Sequence, residues 1–140
     1  MTDQWHAALR HVKAGDLTGD TGQTTGMTRL EAISGATVGS SKVWMGQTHV
    51  APDTNSGDHH HGDAETAIYV VSGRPSFVFA DGDDEVRIDT EPGDYVFVPP
   101  WVPHREENRT GEEAVVVIAR SSQEGIVVNL PSLWAPVERT

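Results

Sequence analysis

Residues 57–73 read GDHHHGDAETAIYVVSG and join a polar loop with three adjacent histidines to an apolar strand. Side chains two residues apart on a strand share a face, so His59 and His61 are predicted to point the same way. Glu65 lies an even number of residues further on and keeps that parity, whereas His60 points away. Two imidazoles and a carboxylate on one face suit a borderline divalent metal.

A second segment, residues 93–108, reads GDYVFVPPWVPHREEN and supplies one more histidine. Its apolar strand ends at prolines, which cannot take part as donors in the interior of a sheet. The chain is expected to turn there and to place His104 just past the turn. His104 can then meet the face of His59 and His61 if its strand lies opposite theirs.

Together the two segments resemble the paired sequence motifs of the cupin superfamily. The first motif reads G-x5-H-x-H-x3-4-E-x6-G, and the second reads G-x5-P-x-G-x2-H-x3-N. The positions that correspond in this chain are His59, His61, Glu65, Gly73, Gly93, Pro99, His104 and Asn108. The resemblance therefore includes all four positions that hold the metal in the family.

Three departures from the motifs stand out. One residue rather than five separates Gly57 from the first histidine, His59, and seven residues rather than six separate Glu65 from Gly73. Both differences suggest small adjustments of loops. Trp101 replaces the glycine between the proline and the histidine of the second motif, which puts a large ring near the metal or the pocket mouth.

The resemblance implies an all-β fold, an antiparallel β-sandwich of jelly-roll type, with one divalent transition metal. The implied ligands are His59, His61, Glu65 and His104, with zinc favoured and iron, manganese or nickel as alternatives. Glu65 could also relay protons as the catalytic carboxylate. Because Tyr69 shares the parity of Glu65, Tyr69 and Trp101 are the candidates for lining the pocket.

The pattern of short strands supports the same fold independently of the motifs. Short apolar segments bounded by turns recur at intervals of roughly ten residues with no long helical period, which is typical of a sandwich or barrel. The predicted strands span residues 27–33, 41–50, 66–71, 75–80, 85–89, 95–98, 114–119 and 125–128. We expect a single domain over residues 1–140, with an N-terminal arm (1–26), a sandwich core (27–129) and a C-terminal tail (130–140).

Composition excludes several classes of partner. Ten basic residues against twenty-one acidic residues give a net charge of −11, the wrong sign for binding nucleic acid or anionic lipid by charge. The absence of cysteine leaves histidine and carboxylate to carry any metal site. No apolar segment is long enough to suggest a signal peptide or membrane span, so a cytoplasmic protein is expected.

The strands at residues 66–71 and 95–98 are apolar on both faces, which indicates a cover on each side. If Tyr69 faces the interior with Glu65, then Ile68 and Val70 face the other way. A second subunit is the natural cover, and small cupins commonly pair in this way. We therefore expect a homodimer.

Several other polar residues have less specific roles. His49 is expected to face outward, and His60 to be exposed or to support the metal ligands, although either could complete the metal shell. Asn108 is expected to form a structural turn, because asparagine bonds readily to its local backbone. Glu106 and Glu107 are expected to be solvated charges without a chemical role.

A metal with open coordination positions is typical of a catalytic rather than a structural site. One class of chemistry is Lewis-acid stabilisation of an enolate, which gives isomerisation, hydrolysis, decarboxylation or aldol cyclisation; another is dioxygenase cleavage with a redox metal and O₂. The size, the HHHG loop and VPPWVPHREEN also resemble the cupin-type aromatic polyketide cyclases of antibiotic and other secondary metabolism. This resemblance favours cyclisation or isomerisation of a carbonyl-rich small molecule. A dioxygenase and a metal- or sugar-binding module without turnover are the alternatives.

Overall fold

The computed structural model describes residues 5–139, which form eleven β-strands and very little helix. The strands are β1 (Met27–Ile33), β2 (Trp44–Val50), β3 (Thr54–Asn55), β4 (His59–His60), β5 (Thr66–Ser72), β6 (Ser76–Asp81), β7 (Asp84–Asp89), β8 (Tyr95–Val98), β9 (His104–Asn108), β10 (Ala114–Arg120) and β11 (Val128–Asn129). The helical elements are one 3₁₀ turn, Ala14–Asp16, and one turn of α-helix, α1 (Gly35–Val38).

The strands form two antiparallel sheets. The first sheet has the order β1-β2-β10-β5-β8, and the second has the order β11-β4-β9-β6-β7 with β3 also paired to β9. The non-sequential neighbours show that the chain crosses repeatedly between the sheets, as expected for a jelly-roll. The predicted antiparallel β-sandwich is confirmed.

The apolar core lies between the two sheets. Ile68, Val70, Val98 and Val116 of the first sheet pack with Phe77 of the second. Burying a side chain of this kind contributes about 2 kcal/mol, so this cluster is a main source of the sandwich's stability. The cluster does not include the histidines of the second sheet.

The structure corrects the predicted parity of β5. Thr66, Ile68 and Val70 are buried, whereas Ala67 and Tyr69 are exposed on the outer face. The prediction counted parity from His61 through residues that are a turn rather than a strand. Gly62 has a left-handed φ of 60°, and the amide of Ala64 donates to the carbonyl of His61 at 3.2 Å. Side chains alternate between faces only along an extended chain, so this turn exchanges the inward-facing and outward-facing positions of β5 relative to the prediction.

The predicted bounds of β1 and β8 agree with the structure, but other elements differ. β10 continues to Arg120, one residue beyond its predicted end, and β9 was not predicted as a strand. Residues 125–127 lie outside any strand, and only Val128–Asn129 pairs there. No helix in the described part of the chain is long and apolar enough to cross a membrane.

Candidate metal centre and cavity

Three histidines meet at one end of the sandwich. His59 on β4 and His104 on β9 are direct cross-strand partners in the same sheet, and His61 follows immediately after β4. The ring centroids are 4.5 Å apart for His59 and His104, 4.8 Å for His59 and His61, and 5.0 Å for His61 and His104. One potential ligand atom from each residue lies within 4.8 Å of the other two. This group could hold a metal ion.

Hydrogen bonds fix the orientation of all three imidazoles. Each Nδ1 lies at hydrogen-bond distance from a backbone carbonyl: His59 from Gly57 at 2.9 Å, His61 from Ile126 at 2.7 Å, and His104 from Val102 at 3.0 Å. Because a carbonyl oxygen can only accept, each Nδ1 carries the proton and each Nε2 keeps a free lone pair. Nε2 of His104 is buried without a hydrogen-bond partner among residues 5–139. Such an unsatisfied buried nitrogen fits a metal ligand.

The surroundings also favour the neutral forms of His61 and His104, which metal ligation requires. Burial, together with the neighbouring His104 and His59, lowers the pKa of His61 to about 4. Burial and His59 likewise lower the pKa of His104. Three imidazoles that share a desolvated space cannot all be charged, so the cluster offers lone pairs rather than protons at neutral pH.

Glu65, the predicted fourth ligand and catalytic carboxylate, does not join the histidines. Its side chain is exposed, and its backbone amide donates to Oγ of Ser121 at 2.9 Å. The next residue, Thr66, is buried and lines the cavity beside His61. The cupin motif leaves six residues between its glutamate and its glycine, and with Gly73 as that glycine the glutamate position falls on Thr66. The placement of Glu65 on the face of the histidines is therefore corrected, and a threonine stands there instead.

The other two histidines near this region face elsewhere. His60 is buried, its Nδ1 accepts from the amide of Gly62 at 2.9 Å, and its ring centroid lies 5.8 Å from that of Trp101. His60 therefore packs behind the group, as its parity indicated, although it is not exposed. His49 lies on the outer face of β2, with its ring nitrogens near Glu113 at 3.2 Å and Gln47 at 3.1 Å.

The histidine group opens into a cavity of about 650 Å³. Its walls come from both sheets and from the segments 21–24 and 123–127. Polar lining residues include His59, His61, Thr66, Glu106, Arg29 and Arg120. The volume is in the range of small-molecule sites. Neither predicted lining residue contributes: Tyr69 is on the outer face of β5, and Trp101 packs against His60.

Glu106 is the carboxylate that sequence reasoning missed. It lies two residues after His104 on β9 and therefore on the same face. Its negative charge raises the pKa values of His61 and His104, which partly offsets the lowering by burial. Alternation from His104 could have identified it, but β9 was not predicted as a strand.

Arg29 and Arg120 were also missed. Arg29 alternates with the buried Met27 on β1, and Arg120 alternates with Ile118 on β10. Both guanidinium groups therefore belong to the inner face and line the cavity. The predicted end of β10 at residue 119 left Arg120 out of the strand.

The last two residues of β9 have structural roles. Asn108 is fully buried, and its amide nitrogen donates to the carbonyls of Val50, Ala51 and Glu112. The predicted structural role of Asn108 is therefore confirmed. Glu107 is buried and paired with Arg87 and Arg105, rather than solvated as predicted.

Comparisons with solved structures find the same fold in proteins with different activities. An oxalate oxidase in complex with glycolate has a TM-score of 0.65 and 22% identity, over 80% of this chain and 60% of that one. Oxalate decarboxylase from Bacillus subtilis has a TM-score of 0.66 and 23% identity, over 77% of this chain and 28% of that one. Peruvianin-I, a cysteine peptidase from Thevetia peruviana latex, has a TM-score of 0.71 and 12% identity, over 92% and 83%.

At these identities the likeness shows the fold alone. This chain spans 60% of the oxalate oxidase and 28% of the oxalate decarboxylase. A search of curated proteins found no significant match to the sequence. The profile of the family described as Cupin domain matches residues 46–120, just over half of the 140 residues. This match includes the histidine group and most of both sheets, and the chain belongs to the cupin family.

Proposed function

We propose that this protein is a metal-dependent cupin enzyme that cyclises or isomerises a carbonyl-rich small molecule, with polyketides as the favoured class. His59, His61 and His104 hold the metal. The observation that carries the proposal is the convergence of three imidazoles with unprotonated Nε2 atoms, two of which, His59 and His61, line an open cavity of about 650 Å³.

The donor set argues against manganese, and among zinc, iron and nickel we favour zinc. Imidazole nitrogens suit zinc, iron and nickel, whereas manganese prefers carboxylate and water ligands. Oxalate decarboxylase of Bacillus subtilis has Mn(II) centres, but here Thr66 stands where the cupin motif has its glutamate. A zinc ion bound by three histidines would polarise a substrate carbonyl and so ease proton removal from the adjacent carbon.

Glu106 is the group that we assign to proton transfer. It lines the cavity together with His59 and His61, and its charge acts on His61 and His104. It stands outside the group whose ligand atoms all lie within 4.8 Å of one another. Glu106 is therefore placed to accept a proton from a substrate in the cavity without being a metal ligand.

The open cavity supports an enzyme over a module that holds metal for structural purposes. A structural site closes the coordination shell with protein ligands. Here three nitrogens converge, Thr66 stands where the motif has its glutamate, and Glu106 lies outside the group whose ligand atoms are within 4.8 Å of one another. Space for a small molecule remains beside them.

The direct test is turnover by protein loaded with one metal at a time. The metal-free protein is loaded with zinc or with Fe(II), and conversion of a poly-keto substrate is followed with and without oxygen. We expect zinc protein to cyclise or isomerise the substrate equally well in the absence of oxygen. Turnover that requires both Fe(II) and O₂, with inactive zinc protein, would replace the proposal with a dioxygenase.

A matched pair of substitutions tests the assignment of the carboxylate. Glu106→Gln is expected to keep its metal and to lower kcat by about 100-fold, because the cavity loses its general base. Glu65→Gln is the control and is expected to change neither metal content nor turnover, since that side chain is exposed. The reverse result, with loss of activity in Glu65→Gln alone, would restore Glu65 as the catalytic group.

A further inference from the structure

Two arginines lie on the same inner wall of the cavity. Arg29 on β1 is paired with Thr48 on β2, and Arg120 on β10 is paired with both Trp44 and Thr66. Thr66 lines the cavity beside His61. The first sheet therefore brings guanidinium groups to the same space into which the second sheet brings the histidines.

Arg120 is held in place by its surroundings. Its guanidinium carbon lies 4.0 Å from the centroid of the Trp44 ring, and its Nε and Nη2 donate to the carbonyls of Ser122 and Gln123 at 3.0 and 3.1 Å. Gly46 leaves room for that ring, because a Cβ there would come within 2.8 Å of it. Nη1 has no hydrogen-bond acceptor among residues 5–139, so a preorganised donor remains for a ligand.

Neither arginine forms an ion pair with a carboxylate in the described part of the chain. Arg74, Arg87 and Arg105 all form ion pairs, but no acidic oxygen lies within 4.0 Å of the guanidinium nitrogens of Arg29 or Arg120. Nη1 of Arg29 donates to Oγ1 of Thr24 at 2.8 Å.

The two cations also repel each other. Burial, followed by the positive charge of Arg29, lowers the pKa of Arg120, and Glu31 opposes this effect. Glu31 itself accepts a hydrogen bond from Nε1 of Trp44 at 2.8 Å. An anion bound between the guanidinium groups would relieve this repulsion and satisfy the free donor.

We propose that Arg29 and Arg120 form an anion subsite, and that the substrate carries a carboxylate which binds there while its carbonyl end faces His59, His61 and His104. This rests on the proposed function for the orientation of the carbonyl end. Glu106 and Glu124 also line the cavity, so a carboxylate, which places one negative charge on this wall, fits it better than a phosphate, which can place two on the same group. The substrate class is thereby narrowed to keto acids.

The test is calorimetric titration of the zinc-loaded protein with three probes. 2-Oxoglutarate carries two carboxylates of one negative charge each and a ketone, acetylacetone is uncharged with two ketones, and inorganic phosphate can carry two negative charges on one group. The variants are Arg29→Met and Arg120→Met. Arg74→Met is the matched control, because Arg74 is exposed and pairs with Glu91 away from the cavity.

Each cavity variant is expected to weaken 2-oxoglutarate binding about tenfold, because it loses a charge-assisted hydrogen bond. Binding of acetylacetone and metal content should not change, and Arg74→Met should behave as wild type. Unchanged affinity for 2-oxoglutarate in the cavity variants would overturn the subsite. Arginine-dependent binding of phosphate that is tighter than that of 2-oxoglutarate would overturn the carboxylate assignment.

Two controls keep the outcome decisive. Should Arg120→Met fail to fold because Trp44 loses its cover, Arg29→Met alone carries the test. Titration of the metal-free protein separates the two proposals. Arginine-dependent binding of 2-oxoglutarate to a protein that takes up no metal would support the subsite and reject the metal centre. If the protein binds metal and acetylacetone but its binding of 2-oxoglutarate does not depend on either arginine, the metal centre would be supported and the subsite rejected.

Discussion

At the scale of single residues, Trp101 occupies a backbone conformation that usually requires glycine. Its φ is 68°, and its amide donates to the carbonyl of Gly62 at 2.8 Å. The second cupin motif has glycine at this position. A side chain in the left-handed region destabilises the fold by about 1 kcal/mol. The indole offsets this by packing against His60 behind the group of His59, His61 and His104.

Substitution at position 101 can separate the backbone strain from the packing of the ring. Trp101→Gly and Trp101→Ala both remove the indole, but only glycine adopts this φ without strain. We expect the free energy of unfolding of Trp101→Gly to exceed that of Trp101→Ala by about 1 kcal/mol in urea denaturation. Equal stability of the two variants would show that the conformation at residue 101 is not strained.

Residue spacing predicted that the three histidines meet, but it placed Glu65 with them, and Glu65 lies elsewhere. His59, His61 and His104 were identifiable because the motif spacings fix them on either side of short, well-defined turns. Glu65 was not, because the turn at Gly62 separates it from the histidines and shifts the strand register by one residue. A shift of one residue moves every side chain to the opposite face, and no local sequence signal reports it.

At the scale of elements, the two faces of β9 carry residues with different roles. Its inner face carries His104 and Glu106, which belong to the candidate site, and Asn108, which bonds the neighbouring backbone. On its outer face Arg105 contacts Glu107 and Glu85, both at 2.7 Å, and Asp58 at 3.3 Å. This ion-pair network covers the second sheet behind the histidines and holds the strand that delivers His104.

The network predicts a pH-dependent stability. Burial raises the pKa of Glu107, but hydrogen bonds from Arg87 and Arg105 outweigh this and hold the pKa below its ordinary value of 4.5. A depressed pKa stabilises the fold above the ordinary value, and this contribution is lost as the pH falls through the lower native value. Glu107→Gln should therefore destabilise the protein by about 2 kcal/mol at neutral pH, because two arginines lose a charged partner.

Urea denaturation at neutral pH and well below pH 4.5 measures this difference. The gap between wild type and Glu107→Gln should narrow at the acidic pH. Glu85→Gln is the control: Glu85 is half-exposed, so its loss should change stability by about 0.5 kcal/mol or less. A gap that is the same at both pH values would show that Glu107 is not ionised in these pairs.

The prediction of elements succeeded where one face of a strand is apolar. β1 and β8 have the predicted bounds because apolar alternation and turns mark both ends. β9 reads HREEN and has no apolar residue, so no alternation of apolar and polar residues marked it as a strand. Its inner face nevertheless carries His104 and Glu106. Arg120 was left out of the predicted strand for the same reason: it is a charged residue at the end of the otherwise apolar β10, and it continues the inner face of that strand.

At the scale of the whole molecule, the first sheet leaves an apolar outer face uncovered. Tyr95 and Phe97 on β8 are 80% and 56% exposed, and the Tyr95 ring lies 4.8 Å from that of Tyr69 on β5. Val71 and Met45 extend the exposed surface. β5 and β8 are thus apolar on both faces, as the sequence indicated. Tyr69, however, lies on the outer face of β5 rather than on the predicted inner face. Contiguous exposed apolar surface of this kind is typical of an interface.

We propose that a second copy of the chain covers this face. The wild-type protein should have the mass of a dimer in sedimentation equilibrium at micromolar concentration. Phe97→Glu should shift it toward the monomer, because a charge would be buried in the interface. Leu9→Glu, which changes an isolated exposed apolar residue, is the control and should leave the mass unchanged. A monomeric wild-type protein would contradict the proposed interface.

The metal content of purified protein tests the central claim most directly. Elemental analysis after incubation with zinc and removal of the excess should give one zinc ion per chain. His104→Ala should lose most of it, because His104 supplies one of three ligands and has its Nε2 buried without another partner. His49→Ala, on the outer face, should keep it. Full occupancy in His104→Ala, or a wild-type protein that binds no metal, would contradict the account.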